Sequence, residues 1–237
     1  MTGRRSAAPA DAAKRAVATA AAGLVADGMV VGLGSGSTAE LMVAALGERV
    51  RDGLRLAGAV PTSERTAAAA RARGIPLTTL DAHPVVDLTL DGADEVAAGT
   101  LDLIKGLGGA LLREKIVAAA SRLLVVMVDE SKLVDRLGRR TPVPVEAVPF
   151  AWPVVAAALQ RLGARAVRRR VGADGTPFVT DEGNAIADAD FGAIADPGRL
   201  ERDIRLVTGV IDCGLFVGRT GLLLVGGADG VRRVTPA

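Results

Sequence analysis

Two short stretches hold the side chains best suited to chemistry, in a chain with one histidine and one cysteine. DGADE sets Asp91 and Asp94 beside Glu95, and KGLGGALLREK runs from Lys105 to Lys115 with Glu114 inside it. A positioned carboxylate can take a proton from carbon or pass one to a sugar hydroxyl. A lysine can steady the negative charge that then develops on oxygen. Together these groups suit proton abstraction next to a carbonyl, with no cofactor required. Structural readings compete at each position. DGADE also reads as an Asp-Gly turn leading into a helix N-cap, and Glu114 as a surface residue in a salt bridge. Magnesium is conceivable at DGADE, but no histidine or third carboxylate stretch completes a site, so no metal is expected.

The spacing within the second stretch sharpens the picture. Gly106, Gly108 and Gly109 let the chain turn tightly and present amides, and a helix can start at Ala110. Ala110 and Glu114 then share a helical face, so Glu114, in the second turn, looks back toward the glycine turn while Lys115 faces elsewhere.

A third stretch, GLGSGST from Gly32 to Thr38, follows a strand and opens a helix. Glycines let backbone N–H groups approach an anion, a helix N-terminus favours negative charge, and Ser35, Ser37 and Thr38 add hydroxyl donors around Gly36. A phosphate-binding loop accounts for this better than a merely tight turn. The dinucleotide fingerprint fails at its last glycine, where Ser37 stands. The second strand ends in Pro61-Thr62-Ser63 and not in an acid suited to a ribose hydroxyl. No lysine completes a nucleotide P-loop, which leaves a small sugar phosphate as the expected ligand.

These stretches need elements to position them. A helix is predicted over 11–26, a strand over MVVGL, a helix from Thr38 through AELMVAALGERV, and a strand over 54–60. An alanine-rich helix over 64–73, a strand in PVVDLTLDGAD, a helix over 110–120 and a strand over 122–129 follow. Strands alternating with helices predict an α/β fold with a mostly parallel sheet and helices on both faces, with ligands at the carboxyl ends of the strands. GSGS, PTS, DGADE and DESK all fall at such ends. The proline-rich TPVPVEAVPF, a helix in VVAAALQRLG, strand-like pieces at 164–171 and 178–190 and a helix at 197–205 read as a small α+β insert. The domain boundaries expected are 1–137 with 209–237, and 138–208.

Composition removes other classes. Hydrophobic residues make up 49% and charged residues 24%, which predicts a packed core and argues against disorder. Aromatics are 2% with no tyrosine, so no stacking platform for single-stranded nucleic acid is expected. A net charge of +2 does not mark a nucleic-acid binder, and Arg168-Arg169-Arg170 reads as a solvated strand or loop face. One cysteine, Cys213, allows no intrachain disulfide, and His83, before a proline, reads as a loop residue. Asp11, Lys14 and Arg15 interrupt the small apolar residues near the N-terminus, so an amphipathic helix fits there and a secretory leader does not. No run is long enough to span a membrane, and a cytoplasmic enzyme is expected.

The motifs GLGSGSTA, PTSERT, DGADE, KGLGGALLREK, DESK, PVEAVPF and DEGNAIAD, in that order from about Asp11 onward, resemble the ribose-5-phosphate isomerase type A family. The resemblance implies interconversion of ribose 5-phosphate and ribulose 5-phosphate in the pentose phosphate pathway, without a metal or cofactor. It implies that Glu114 is the base that moves a proton between C2 and C1 through an enediolate. Asp91 and Asp94 match the family's active-site aspartates, which handle ring oxygen and hydroxyls, and Lys105 matches its charge-stabilising lysine. Substrate contacts are implied for Ser35, Gly36, Ser37, Thr38, for Gly92 and Ala93 within DGADE, for Gly106, Leu107 and Gly108, and for Lys132. Lys14 matches a lysine that some members place near the phosphate. Departures are mild: Ser35 replaces a threonine, Leu107 interrupts the glycine turn so that contact there must be through backbone, and DEGN replaces DNGN. The resemblance also implies a Rossmann-like domain with a small ferredoxin-like α+β domain, and a homodimer or homotetramer. A sugar-phosphate-sensing module and a nicotinamide-dependent dehydrogenase are the competing readings. The intact Asp91, Asp94, Lys105 and Glu114 disfavour the first, and Ser37 disfavours the second.

Overall fold

The computed structural model describes residues 7–236. In chain order it opens with α1 (Ala7–Ala22), β1 (Val30–Leu33), α2 (Ser37–Arg51), β2 (Gly58–Pro61), α3 (Glu64–Arg71) and β3 (Leu88–Gly92). There follow β4 (Glu95–Ala97), β5 (Leu103–Ile104), α4 (Leu111–Ala119), β6 (Leu124–Asp129), β7 (Leu133–Val134) and β8 (Val143–Ala147). The remainder is α5 (Trp152–Arg161), β9 (Ala166–Arg169), β10 (Ala185–Asp190), α6 (Pro197–Arg205), β11 (Val210–Cys213), β12 (Leu215–Phe216), β13 (Leu222–Gly227) and β14 (Gly230–Val234). These elements form two compact units, one of residues 7–92, 116–132 and 219–236, the other of 93–115 and 133–218. The insert expected at 138–208 is drawn more narrowly than the second unit. Residues 93–115 join that unit because β4 and β5 pair with β7 and β12.

The first unit is a six-stranded sheet in the order β14-β13-β6-β3-β1-β2. All its pairs are parallel except the edge pair β13–β14, a hairpin. Strand alternation gives each face its own core. Val31, Leu33, Leu88, Leu90, Val125 and Met127 point to the face packed by Val17 and Ala21 of α1 and by Met42 and Leu46 of α2. Val30 and Val60 point the other way, where Val117 of α4 covers them. Helices therefore lie on both faces, the doubly wound arrangement that alternating strands and helices predict. Burying a side chain such as Leu33 or Met42, both fully enclosed, contributes about 1.5–3 kcal/mol relative to exposure.

In the second unit, β8-α5-β9-β10-α6-β11 forms an antiparallel sheet in the order β11-β8-β10-β9. This βαββαβ succession is the ferredoxin-like motif. Val143, Val145, Ala187 and Ala189 share one face and pack with Val155 and Leu159 of α5 and Ile204 of α6. A third small sheet, β12-β5-β4-β7, belongs to the same unit.

Candidate active site

In the first unit, the order of the central strands decides where a ligand can go. The chain leaves β1 for β2 on one side, while β3 lies on the other, so the carboxyl ends of β1 and β3 form a topological switch point. The loop after β1 and Asp91 near the end of β3 meet there. Ser35 N–H donates to Asp91 Oδ1 at 3.2 Å, and Asp91 Oδ1 also accepts from Gly92 N–H at 2.7 Å. Gly34 makes the meeting possible, because a Cβ there would stand 2.1 Å from Asp91 Oδ1 and 2.6 Å from Asp91 Cα. Asp91 is buried.

Ser35 Oγ lies 2.8 Å from Thr62 Oγ1 and 2.8 Å from Ser63 Oγ, the residues that follow β2. Thr66, on α3, ties this hydroxyl cluster down by donating from Oγ1 to the Gly34 carbonyl at 3.0 Å. The sequence shows PTS as a strand end but not its role as the anchor of Ser35. Gly36 and Ser37 are exposed, and Thr38 is half-buried beside Gly92. The loop thus offers amides and hydroxyls at the N-terminus of α2, the position that favours an anion. Lys132 is half-buried in the short turn after β6. Lys14, half-buried on α1, follows Ala13, whose carbonyl lies against Gly226 at the end of the neighbouring β13.

The other predicted residues belong to the second unit. Lys105 follows β5 and is fixed by its own N–H, which donates to Gly214 O at 2.8 Å. Its buried ammonium stands 3.3 Å from Glu114 Oε2. Helix α4 starts at Leu111, one residue later than expected, which puts Glu114 in its first turn, where the helix dipole favours a carboxylate. Asp94, half-buried, accepts from Leu107 N–H through Oδ2 at 2.9 Å, so it is joined to the glycine turn. Gly108 and the Leu107 side chain are exposed, whereas Gly106 is buried. Among the described residues Leu101 is the one non-glycine at positive φ, so Leu107 occupies the turn without backbone strain. Ala93 is half-buried next to Asp94.

Three neighbours of these groups are not legible as such in the sequence. Glu95, grouped there with the acidic cluster, turns into the interior and accepts from the N–H groups of Gly138, Arg140 and Thr141 at 2.7–2.8 Å. It holds a loop. Lys115 is buried and donates to Glu201, Asp212 and the Cys213 carbonyl at 3.0, 2.7 and 2.7 Å. The Phe216 ring lies near both ammonium groups, its centroid 5.5 Å from Lys105 Nζ and 4.9 Å from Lys115 Nζ, within cation–π range. Cys213, next to this cluster, is buried, and desolvation pushes its thiol up to about 11. Among the described residues no group of three or more His, Cys, Asp or Glu side chains is placed to hold a metal ion.

The first unit is a doubly wound α/β domain with amides and hydroxyls at a helix N-terminus, and the second holds a buried lysine–glutamate pair beside a glycine turn, features of an α/β enzyme. The chain belongs to the ribose 5-phosphate isomerase A (phosphoriboisomerase A) family, whose pattern matches residues 58–230. It is 54% identical over 227 residues to ribose-5-phosphate isomerase A of Gloeobacter violaceus, covering 96% of this chain and 97% of the relative. Ribose 5-phosphate isomerase A of Methanocaldococcus jannaschii superposes with a TM-score of 0.91 at 44% identity, over 95% of this chain and 99% of that one. A D-ribose-5-phosphate isomerase in complex with phospho-erythronic acid superposes with a TM-score of 0.92 at 37% identity, again over 95% and 99%.

Proposed function

We propose that this chain interconverts D-ribose 5-phosphate and D-ribulose 5-phosphate through an enediolate, with Glu114 as the general base. The observation that carries the assignment is the buried Glu114–Lys105 pair, 3.3 Å apart. A proton acceptor and a cation held side by side are what moving a proton between C2 and C1 requires. Glu114 removes the C2 proton of the open-chain aldose and returns it to C1. Lys105 stabilises the negative charge on the substrate oxygen as the enediolate forms, and the amides of the glycine turn are further donors. Asp91 and Asp94 handle the ring oxygen and hydroxyls during ring opening. Ser35, Gly36, Ser37 and Thr38 bind substrate at a helix N-terminus, with Lys132 as a further substrate-binding lysine and Lys14 as a cationic partner for its phosphate. The phospho-erythronic acid in the related structure supports this, since its carboxylate places two oxygens on one planar carbon as an enediolate places them on neighbouring ones. No helix among the described residues is long and apolar enough to cross a membrane, and we place the reaction in the cytoplasm, in a homodimer or homotetramer.

The test is proton NMR of ribose 5-phosphate with the protein in D₂O, run with the parent and with Glu114→Gln. The parent should yield ribulose 5-phosphate with deuterium at C1. The variant should stay folded and lose on the order of a hundredfold or more in turnover, the usual value of a positioned base. Turnover within about threefold of the parent would remove Glu114 from the role.

A further inference from the structure

The peptide that joins Gly106 to Leu107 is gripped at both ends. Its carbonyl accepts from Arg170 Nη1 at 2.8 Å, and its N–H donates to Asp94 Oδ2 at 2.9 Å. In a trans peptide these two groups point in opposite directions, so Arg170 and Asp94 lie on opposite sides of the turn. The same Nη1 also donates to the Leu107 carbonyl at 3.0 Å. Two successive carbonyls therefore converge on one guanidinium nitrogen, and the N–H groups of Leu107 and Gly108 are both directed away from it. Successive N–H groups turned to one side form a concavity suited to an anion.

Arg170 is itself immobilised. Its Nε donates to Asp188 Oδ2 at 2.9 Å and its Nη2 to Asp188 Oδ1, a bidentate pair in which both side chains are largely enclosed. Its guanidinium lies 5.9 Å from the Phe178 ring centroid. That ring covers Gly109, where a Cβ would stand 2.4 Å from Phe178 Cζ and where φ is +86°. The ferredoxin-like sheet thus reaches the glycine turn through Asp188, Arg170 and Phe178. A solvated surface arginine would have none of these partners.

We propose that Arg170, oriented by Asp188, is a positioning residue for the isomerisation. It fixes the peptides of the 106–108 turn so that their N–H groups face Asp94 and the substrate oxygen on which charge develops. This rests on the assignment of Glu114 and the glycine turn to the isomerase site. Arg170 touches no reacting atom; it acts through the backbone. Misaligned donors weaken the transition state more than the ground state, since the oxygen carries its charge only on the way to the enediolate.

The experiment measures steady-state kinetics of Arg170→Ala, Arg170→Lys, the strand neighbour Arg168→Ala and Glu114→Gln, each checked by circular dichroism. Arg170→Ala should lower kcat by about 10- to 100-fold with KM within about threefold, and phospho-erythronic acid should bind it about tenfold more weakly or worse. Arg170→Lys keeps the charge but cannot span two carbonyls and a carboxylate, so it should be impaired in kcat too. Arg168→Ala should retain parental kinetics. Arg170 borders an open cavity of about 590 Å³ that also meets Leu107 and Asp188. Added guanidinium can enter there and should restore part of the kcat of Arg170→Ala without changing KM, a response that general destabilisation would not give. A folded Arg170→Ala with kcat within about threefold of the parent, or one impaired only in KM, overturns the proposal. If Arg170→Ala fails to fold, Arg170→Lys decides: native melting with parental kcat overturns it equally. Glu114→Gln separates the two assignments. Its survival would sink the reading of the site, whereas its inactivity beside a fully active Arg170→Ala would sink the positioning role alone.

Discussion

Glu114 and Lys115 are neighbours in sequence and serve different ends, because one helical step turns the side chain by about 100°. Glu114 pairs with Lys105, while Lys115 is enclosed among Glu201, Asp212, the Cys213 carbonyl and the Phe216 ring. Lys115 thereby pins the first turn of α4 to α6 and β11, and so fixes where Glu114 stands. Its own worth as an ion pair is small, since desolvating three charges offsets much of their attraction. Removing one member is another matter. Lys115→Met keeps the apolar stem but leaves two enclosed carboxylates without their shared ammonium, Asp212 retaining the Cys213 N–H at 2.7 Å and Arg205 at 3.8 Å in partial compensation. The variant should lose roughly 3 kcal/mol in urea unfolding, the scale for a broken buried pair. A loss below about 1 kcal/mol would mean that the cluster is hydrated in solution. In the sequence, REK reads as a charge cluster, and nothing distinguishes its enclosed lysine from a solvated one. The partners Glu201 and Asp212 lie far along the chain and come near only through the tertiary fold.

At the scale of elements, the long periodic segments are legible and the short ones are not. The strands around Val31, Leu90 and Met127 are apolar runs ending in turn residues, and the helix after Ser37 carries its apolar spacing openly. The sites at their carboxyl ends follow from that order. By contrast β5, β7 and β12 have two residues each, too few for any period to show. They form through pairings between segments distant in the chain, β12 with β5 and β7 with β4, and beside them Lys105 N–H bonds to Gly214 O and Glu95 gathers the amides of Gly138, Arg140 and Thr141. Arg170 was hidden for a related reason: its run of three arginines looks solvated until the pairing of β9 with β10 brings Asp188 beside it. The approach of β1 to β3 is half-legible: the glycines of GLGSGST read as freeing amides for an anion, whereas Gly34 also clears the space that Asp91 fills. Gly34→Ala tests it. The new methyl would press on the Asp91 backbone as well as its carboxylate, so the strand ends must part. A cost of about 1–3 kcal/mol in stability is expected from such overpacking. It should come with a raised KM, since the loop carrying Ser35 shifts with the strand. Unchanged stability and KM would show that the two strand ends tolerate a wider spacing.

For the whole molecule, the second unit carries an apolar surface that its own fold does not use. Phe150 is 95% exposed and Leu206 82%, with Val154 and Val148 also open. Val148 donates to the Gly209 carbonyl at 2.9 Å, and Gly209 lies against Ala151. The turn before α5 and the end of α6 are thereby brought together, and Phe150 and Leu206 stand on neighbouring segments. Exposed large side chains grouped in this way mark association surfaces more often than chance. Burying them between identical chains is the economical solution, because a closed two-fold interface uses the same patch twice. Phe150→Asp separates this from an idle surface. Within a single chain the substitution touches nothing, so thermal stability of a monomer should change by no more than about 0.5 kcal/mol. In an interface it sets a carboxylate against the partner's apolar patch, and the parental oligomer should break into smaller species. Light scattering after size-exclusion chromatography reads the outcome directly. A variant that keeps the parent's mass across a hundredfold dilution would place the contacts between subunits on another face. One that falls to a single chain would assign them to the end of the ferredoxin-like sheet, and its residual turnover would then show whether Glu114 and Lys105 need a second subunit to work.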